Sequence, residues 1–145
     1  MKGGRQVNIV NGLPKDLKYS KDHTWVRVDG DRATVGITDF AQSWIGDLVS
    51  IDIFEEGTKI EPSGMFGTLE TSKVSFELYS PVGGKIIKRN DRLINQIALI
   101  NQEPYEGGWM ITLRVRDVQD LVDLMDPDAY EDFIKKWRAV EKSKN

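Results

Sequence analysis

Residues 64–84 have the sequence GMFGTLETSKVSFELYSPVGG, from Gly64 to Gly84. Two runs within it, Met65–Leu69 and Val74–Leu78, show the period-two apolar pattern that is typical of half-buried β-strands. Small polar residues separate the two runs. We therefore predict a β-hairpin in which Lys73 lies at or beside the turn, where its side chain projects into solvent.

The same period-two pattern recurs on both sides of this hairpin. It appears at Trp25–Val28, at Ala33, Val35 and Ile37, at Val49, Ile51 and Ile53, and at Trp109, Ile111, Leu113 and Val115. Turns that contain glycine or proline separate the runs, at residues 29–31, 56–57, 61–64, 81–84 and 106–108. Many short strands with frequent turns predict a small antiparallel barrel or sandwich.

Helical spacing of apolar residues appears in only two places. A short helix is predicted after Thr38, a good N-cap residue, with Phe40, Ala41, Trp44 and Ile45 on its apolar face. Near the C-terminus, two apolar stripes meet at Asp126-Pro127, which has the form of an N-cap followed by proline at the first helical position. The stripes consist of Val118, Leu121, Val122 and Met125, and of Tyr130, Phe133, Ile134 and Trp137. We expect two C-terminal helices that cover an opening or an edge of the barrel.

The predicted fold class is all-β with minor α: a barrel-sandwich with a short internal helix and C-terminal helices. We divide the chain into an N-terminal extension (1–16), the barrel-sandwich (17–116), a helical cap (117–140) and a polar tail (141–145) that is expected to fray. The length of 145 residues suits one domain with a real core.

Composition narrows the classes of function. A net charge of −3 argues against a nucleic-acid binder, and no apolar run approaches the roughly 18 residues of a membrane span. The first residues lack the apolar stretch of a signal peptide, so we expect a cytoplasmic protein, or a mature matrix protein if it is eukaryotic. Separately, we expect the protein to be a monomer. The absence of cysteine and the presence of one histidine, His23, exclude disulfides, thiolate catalysis and a multi-histidine metal site. We therefore expect no metal, and any redox chemistry must come from an attached group.

Two interpretations of Lys73 remain open from its position alone. It can be one of many surface lysines, since a free lysine amine is protonated at neutral pH and is a poor nucleophile. It can also be a modification site, because a modifying enzyme needs an amine on a tight, protruding element, and acylation would turn the side chain into a swinging arm; position alone favours the surface lysine. A biotin carrier is disfavoured because Ser72 and Val74, rather than methionines, flank the lysine.

Six segments together resemble the H protein family of the glycine cleavage system. They are Tyr19–Val28 (YSKDHTWVRV), Ala33–Gln42 (ATVGITDFAQ), Phe66-Gly67, Glu70–Lys73 (ETSK), Leu78–Gly84 (LYSPVGG) and Glu103–Trp109 (EPYEGGW). The resemblance runs in the family's order from about Leu17 to Trp137. It implies a lipoyl-domain-like barrel-sandwich hybrid, with Lys73 at the position of the family's lipoylated lysine.

The resemblance also assigns four neighbours of this lysine. Glu70 and Glu77 match acidic positions that flank the modified residue, and Gly57 and Gly84 match glycines associated with recognition by the lipoylating enzyme. From the residues alone, the two glycines suit a positive φ angle or a close approach of two chain segments. The two glutamates could equally be solvated strand ends.

The family's activity implies a carrier rather than an enzyme. Lipoate attached to Lys73 would carry an aminomethyl group from a pyridoxal-phosphate glycine decarboxylase to a folate-dependent aminomethyltransferase, and lipoamide dehydrogenase would reoxidise the arm. A lipoate ligase or an octanoyl/lipoyl transferase would attach it. A groove would hold the loaded arm away from water, with a carboxylate as the natural partner of its amine. No nucleic-acid or membrane partner is implied.

One departure from the family pattern keeps alternatives open. The residue before Trp25 is Thr24, where the family usually has a glutamate associated with the bound aminomethyl amine. Thr24 has no charge to pair with an ammonium group. The alternatives are an H-like lipoate-binding protein that carries sulfur for a heterodisulfide-reductase-like sulfur-oxidation system, and a paralogue that relays lipoyl groups. His23 is interpreted as a structural hydrogen-bonding residue beside Trp25.

Overall fold

Antiparallel pairing of short strands generates the body of the fold in the computed structural model, which describes residues 9–10 and 12–143. The strands of this part of the chain are β1 (Ile9–Val10), β2 (Leu13–Pro14), β3 (Lys18–Tyr19), β4 (Thr24–Asp29), β5 (Arg32–Ile37), β6 (Ser50–Ile53), β7 (Lys59–Ile60), β8 (Met65–Glu70), β9 (Ser75–Tyr79), β10 (Gly84–Arg89) and β11 (Ile111–Val115). The helices are α1 (Asp39–Ile45), α2 (Leu99–Gln102) and α3 (Pro127–Ser143), with 3₁₀ turns at Asp91–Ile94 and Val118–Leu121. In the described ranges, no helix is both long and apolar enough to span a membrane.

Two sheets face each other across the main core. One has the strand order β3-β4-β5-β11-β10-β7, the other has the order β6-β8-β9, and β1 and β2 form a separate pair. The inner face of each sheet supplies fully buried apolar side chains to one cluster, which includes Val35, Ile86, Ile111 and Leu113 from the larger sheet and Phe66, Leu69 and Leu78 from the smaller one. The predicted all-β barrel-sandwich with minor α content is therefore the observed architecture.

A second core joins the C-terminal helix to the larger sheet. Trp25 is fully buried and donates its indole N–H to the carbonyl of Pro104 over 2.9 Å. Tyr130 of α3 stacks on Tyr19 with ring centroids 4.9 Å apart. Two backbone hydrogen bonds of 2.8 Å, one in each direction between Tyr19 and Met125, attach the segment just before α3 to β3. The second predicted C-terminal stripe thus packs on the sandwich, as its apolar spacing indicates.

The first predicted C-terminal helix is shorter than its apolar stripe. Only Val118–Leu121 is helical, as one 3₁₀ turn, and Val118 and Val122 are exposed. The carboxylate of Asp117 accepts from the backbone N–H of Gln119 at 2.9 Å and so begins the turn. Met125 pairs with Tyr19 as an isolated β-bridge, and this tertiary contact ends the helix.

The period-two pattern does not predict strand β10, because its apolar residues, Ile86 and Ile87, are adjacent. A register shift between Ile86 and Lys88 in the pairing with β11 accommodates the two neighbours. Gly84, predicted in a turn, is instead the first residue of this strand. Apolar periodicity therefore fails to predict the strand whose pairing with β11 contains a register shift.

Candidate functional site

The turn that carries Lys73 is held by the side chain of Thr71. Glu70 and Ser75 form the last paired positions of β8 and β9, and Thr71 N–H donates to the carbonyl of Val74 over 2.9 Å. The Thr71 hydroxyl oxygen accepts from the amides of Lys73 and Val74 at 3.2 and 3.1 Å. The exposed Lys73 amine is therefore presented on a short hydrogen-bonded turn.

The two glutamates that flank Lys73 share one face of the hairpin. Glu77 pairs with Thr68, and Glu70 pairs with Ser75, so both lie on the face opposite to buried Leu69. Both carboxylates are exposed. Lys73 is thus bracketed by two acids that an approaching protein can reach.

The two glycines of the predicted site lie together, but outside the hairpin strands. Gly57 has a φ angle of +93° and donates its N–H to Ile86 of β10 over 2.7 Å. Gly84 begins the same strand, and a Cβ atom there would collide with the carbonyl oxygen of Arg114 on β11. Each glycine therefore has a backbone role of the kind predicted from its residue type, and recognition by a lipoylating enzyme stays a prediction.

A cleft of about 240 Å³ adjoins the hairpin strand β9. Its walls come from β9, α1, the segment 22–24 and α3, and they are mainly apolar. Aromatic side chains pack edge to face along it: Trp44 lies 6.1 Å from Phe76 and 5.7 Å from Trp137, measured between ring centroids. The sequence places Trp137 only in the second C-terminal apolar stripe. Its place at the end of an apolar helical stripe gave no sign that it would also line a cleft.

Acidic groups supply the polar side of the cleft. Asp22 and Glu77 line it, as does Thr24, and none of the described residues that line it is lysine or arginine. Tyr79 donates its hydroxyl to the Glu77 carboxylate over 2.5 Å; this hydrogen bond raises the pKa of Tyr79, and burial and the nearby charges of Glu77 and Asp22 raise it further. The cleft is therefore suited to a ligand that is mainly apolar and carries a positive charge. Asp22 was not singled out in the sequence.

Thr24 contributes no free polar group to this cleft. It is 1% exposed, and its hydroxyl shares a 2.6 Å hydrogen bond with that of Ser20. The position that carries glutamate in the resembling family is thus filled here by a buried neutral residue. Among the described residues that line the cleft, the carboxylates are those of Asp22 and Glu77.

His23 is held in place by the second core. Its φ angle is +62°, its Nδ1 atom lies 2.8 Å from the Tyr130 hydroxyl, and its ring contacts Phe40 and Phe133. Burial lowers its pKa, and the charge of Asp22 opposes that effect. The contacts agree with the structural role predicted for this residue. Across the described residues there is no group of three or more side chains that could hold a metal ion.

Comparison with known proteins gives one consistent result. A model of the glycine cleavage H-protein family matches residues 17–137. A glycine cleavage system H protein of Halalkalibacterium halodurans is 41% identical over 127 residues, which are 88% of this chain and 99% of that protein. A probable glycine cleavage system H protein of Haloarcula marismortui is 44% identical over 123 residues, 85% of this chain and 97% of that protein. The crystal structure of a glycine cleavage system H protein from Mycobacterium marinum superposes with a TM-score of 0.74 at 28% identity, over 81% of this chain and 95% of that chain.

Proposed function

Because the chain belongs to the glycine cleavage H-protein family, we propose that Lys73 is the lysine on which it carries lipoate. The observation that supports this assignment most directly is the hairpin turn, which presents an exposed amine on a short hydrogen-bonded loop. Glu70 and Glu77 flank the amine on one accessible face and are proposed as recognition residues for the lipoylating enzyme. Gly57 and Gly84 are proposed to affect this recognition indirectly, through the backbone around β10. Gly57 donates to Ile86 of that strand, and Gly84 allows it to approach Arg114 of β11.

The cleft beside β9 fits the modified side chain in size and chemistry. Phe76 is three residues after Lys73, so at about 3.3 Å per residue the cleft wall begins roughly 10 Å along the chain from the attachment point. Trp44, Phe76 and Trp137 offer an apolar wall against which an aliphatic arm would pack. When bound, lipoate supplies the sulfur atoms on which an aminomethyl group is carried.

The two cleft carboxylates give the chain a way to bind an amine without the family's glutamate. Asp22 and Glu77 would pair with the ammonium form of the amine by charge-assisted hydrogen bonds. Tyr79, which donates to Glu77, orients that carboxylate. An acidic cleft also favours a cationic cargo over a sulfur cargo, as do the names of the relatives. Shuttling of an aminomethyl group in the glycine cleavage system is therefore favoured over the sulfur-carrying alternative.

The partners follow from this role. A carrier in the glycine cleavage system serves glycine decarboxylase and aminomethyltransferase. We further assign to it lipoamide dehydrogenase, which would reoxidise the arm, and a lipoate ligase or an octanoyl/lipoyl transferase, which would attach it.

Lipoylation in vitro followed by a glycine exchange assay tests the proposal. Intact mass and peptide mapping should place one lipoyl group on Lys73 and none on a Lys73→Arg variant. The lipoylated protein should support exchange of labelled bicarbonate into glycine by glycine decarboxylase. A Lys73→Arg variant that still gained the lipoyl mass would overturn the site. Full lipoylation without exchange would overturn the aminomethyl role and make sulfur transfer the function to pursue.

A further inference from the structure

Two rows of charged side chains cross the outer face of the larger sheet. Pairing of β4, β5, β11 and β10 places Arg27, Thr34, Thr112 and Lys88 in one row. The neighbouring row extends over five strands and contains Asp29, Arg32, Arg114, Lys85 and Lys59. Six of these nine residues are lysine or arginine, in a chain whose net charge is −3. We call these nine residues the basic face.

The like charges of the second row lower the stability of the larger sheet. Arg32, Arg114, Lys85 and Lys59 occupy paired positions on successive strands, which lie about 4.8 Å apart. Like charges directly opposite each other destabilise a sheet. Asp31 offsets part of this repulsion through an ion pair of 3.8 Å with Arg114. Asp29, which lies directly opposite Arg32, offsets another part, but Lys85 and Lys59 face each other as like charges.

The ends of the first row are held by aromatic rings, and a groove lies between them. The guanidinium of Arg27 lies 5.7 Å from the ring centroid of Trp25, and the amine of Lys88 lies 5.6 Å from that of Trp109. Such contacts restrain cations that would otherwise be mobile. The groove, of about 430 Å³, includes the hydroxyls of Thr34 and Thr112 in its lining. It therefore presents oriented cations together with neutral hydrogen-bonding groups.

The basic face points away from the sheet that carries Lys73. The inner face of the larger sheet packs through Val35, Ile111 and Leu113 against the sheet formed by β6, β8 and β9. Alternation along each strand places the charged rows on the opposite face. A protein bound to the basic face would therefore leave the Lys73 hairpin uncovered.

We propose that the basic face is a docking site for an acidic surface of a partner protein, separate from the lysine hairpin. Arginine binds carboxylates in paired geometry, and charge complementarity speeds association without requiring slow dissociation. A carrier that visits several enzymes needs both properties, and in this respect the proposal rests on the proposed function. Single-stranded nucleic acid fits less well, because base stacking needs aromatic residues and none of the described residues that line the groove is aromatic, while Asp29 is one of them.

Binding of purified partners to two matched variants tests the proposal. Arg32→Gln/Lys85→Gln/Arg114→Gln neutralises the basic face, and Lys15→Gln/Lys135→Gln/Lys136→Gln removes the same charge from exposed positions elsewhere. Both variants are lipoylated, checked by intact mass, and titrated with glycine decarboxylase, aminomethyltransferase and lipoamide dehydrogenase at about 50 mM and about 300 mM NaCl. The basic-face variant should fold with a melting temperature no lower than that of the control, because it loses like-charge contacts.

At low salt, at least one enzyme should bind the basic-face variant about tenfold more weakly than the control, and high salt should reduce the difference. Equal binding of both variants by all three enzymes, or the absence of salt-sensitive binding by the parent protein, would overturn the proposal. So would tighter binding of the parent to a fluorescent 20-nucleotide single strand than to any enzyme. Failure of lipoylation or of glycine exchange in the parent would instead count against the proposed function.

Discussion

The backbone N–H of Lys73 donates to the hydroxyl oxygen of Thr71 across 3.2 Å, so the residue two positions earlier sets the pose of the lysine. The same oxygen accepts from the backbone N–H of Val74, and the hydroxyl donates to the Val74 carbonyl over 3.2 Å, so three bonds of one side chain close the turn. The stiffness of this loop therefore depends on a hydroxyl that takes no part in the chemistry of the amine.

Thr71→Ala should slow lipoylation while leaving the fold intact. Loss of three exposed hydrogen bonds removes about 1.5–4.5 kcal/mol of turn stabilisation, of which the global free energy of unfolding should register only a part. We expect kcat/KM of the lipoylating enzyme to fall about tenfold. Thr71→Ser keeps the hydroxyl and should retain most of the activity. Equal rates for the alanine and serine variants would contradict this role of Thr71.

Asp22→Asn should weaken retention of an aminomethyl-loaded arm. The substitution keeps the shape of the side chain and removes one of the two carboxylates in the cleft. We expect loss of the aminomethyl group to solvent to accelerate about tenfold, as measured by release of formaldehyde from the loaded protein, because a charge-assisted hydrogen bond to a charged group contributes about 1.5–3 kcal/mol. Lipoylation itself should be unchanged.

A Thr24→Glu substitution in the Asp22→Asn background provides the matched rescue. It returns a carboxylate to the cleft at the position where the family usually has glutamate. Retention of the loaded arm should recover toward the parent value. If Asp22→Asn alone has no effect, Asp22 is not the partner of the amine.

Gly84→Ala should destabilise the protein through its pairing with β11. The added methyl group would meet the carbonyl oxygen of Arg114, and the neighbouring backbone has little room to move. We expect the free energy of unfolding, measured by urea titration, to fall by about 1–3 kcal/mol.

Gly57→Ala is the control for this clash. No atom lies within 4 Å of the added carbon, but the φ angle of +93° disfavours any residue with a side chain. It should lose stability through backbone strain alone. If Gly84→Ala is as stable as the parent protein, β10 and β11 do not need a glycine at their first pair.

Stability should fall as the pH decreases through the range in which His23 gains a proton in the unfolded chain. Burial lowers the pKa of His23 in the folded protein, so below about pH 6.5 the unfolded state binds more protons than the native state. The contribution of His23 to stability is therefore complete above this pH and decreases towards its lower native pKa. Melting temperatures between pH 5 and 7.5 measure the effect.

His23→Asn is the appropriate comparison, because asparagine tolerates the φ angle of +62° better than most residues do. The variant should be less stable at neutral pH, since it loses ring contacts with Phe40 and Phe133. Its stability should also depend less on pH between 5 and 7.5. An identical pH dependence in both proteins would show that His23 is not responsible.

Local sequence patterns determined the strands and the hairpin. Alternating apolar residues placed strands where β4, β5, β6, β8, β9 and β11 occur, because a half-buried strand exposes every second side chain to the core. The N-cap at Thr38 likewise accepts from Ala41 N–H, as its residue type indicates. The position of Lys73 in the turn needed no further information, because both strands and their connection lie within 21 consecutive residues.

Only the tertiary structure decided the cleft beside that hairpin and the basic face on the other sheet. The cleft joins β9 to Trp137, and the basic face joins Arg32 to Arg114; both depend on pairing and packing between segments that are far apart in sequence. Period-two alternation specifies which side chains share a face of one strand, but not which strand lies beside it. The bridge between Tyr19 and Met125, which shortens the first C-terminal helix, is likewise a contact between distant residues. The sequence by itself therefore determined the hairpin that presents Lys73, whereas strand order and helix docking decided the cleft and the basic face.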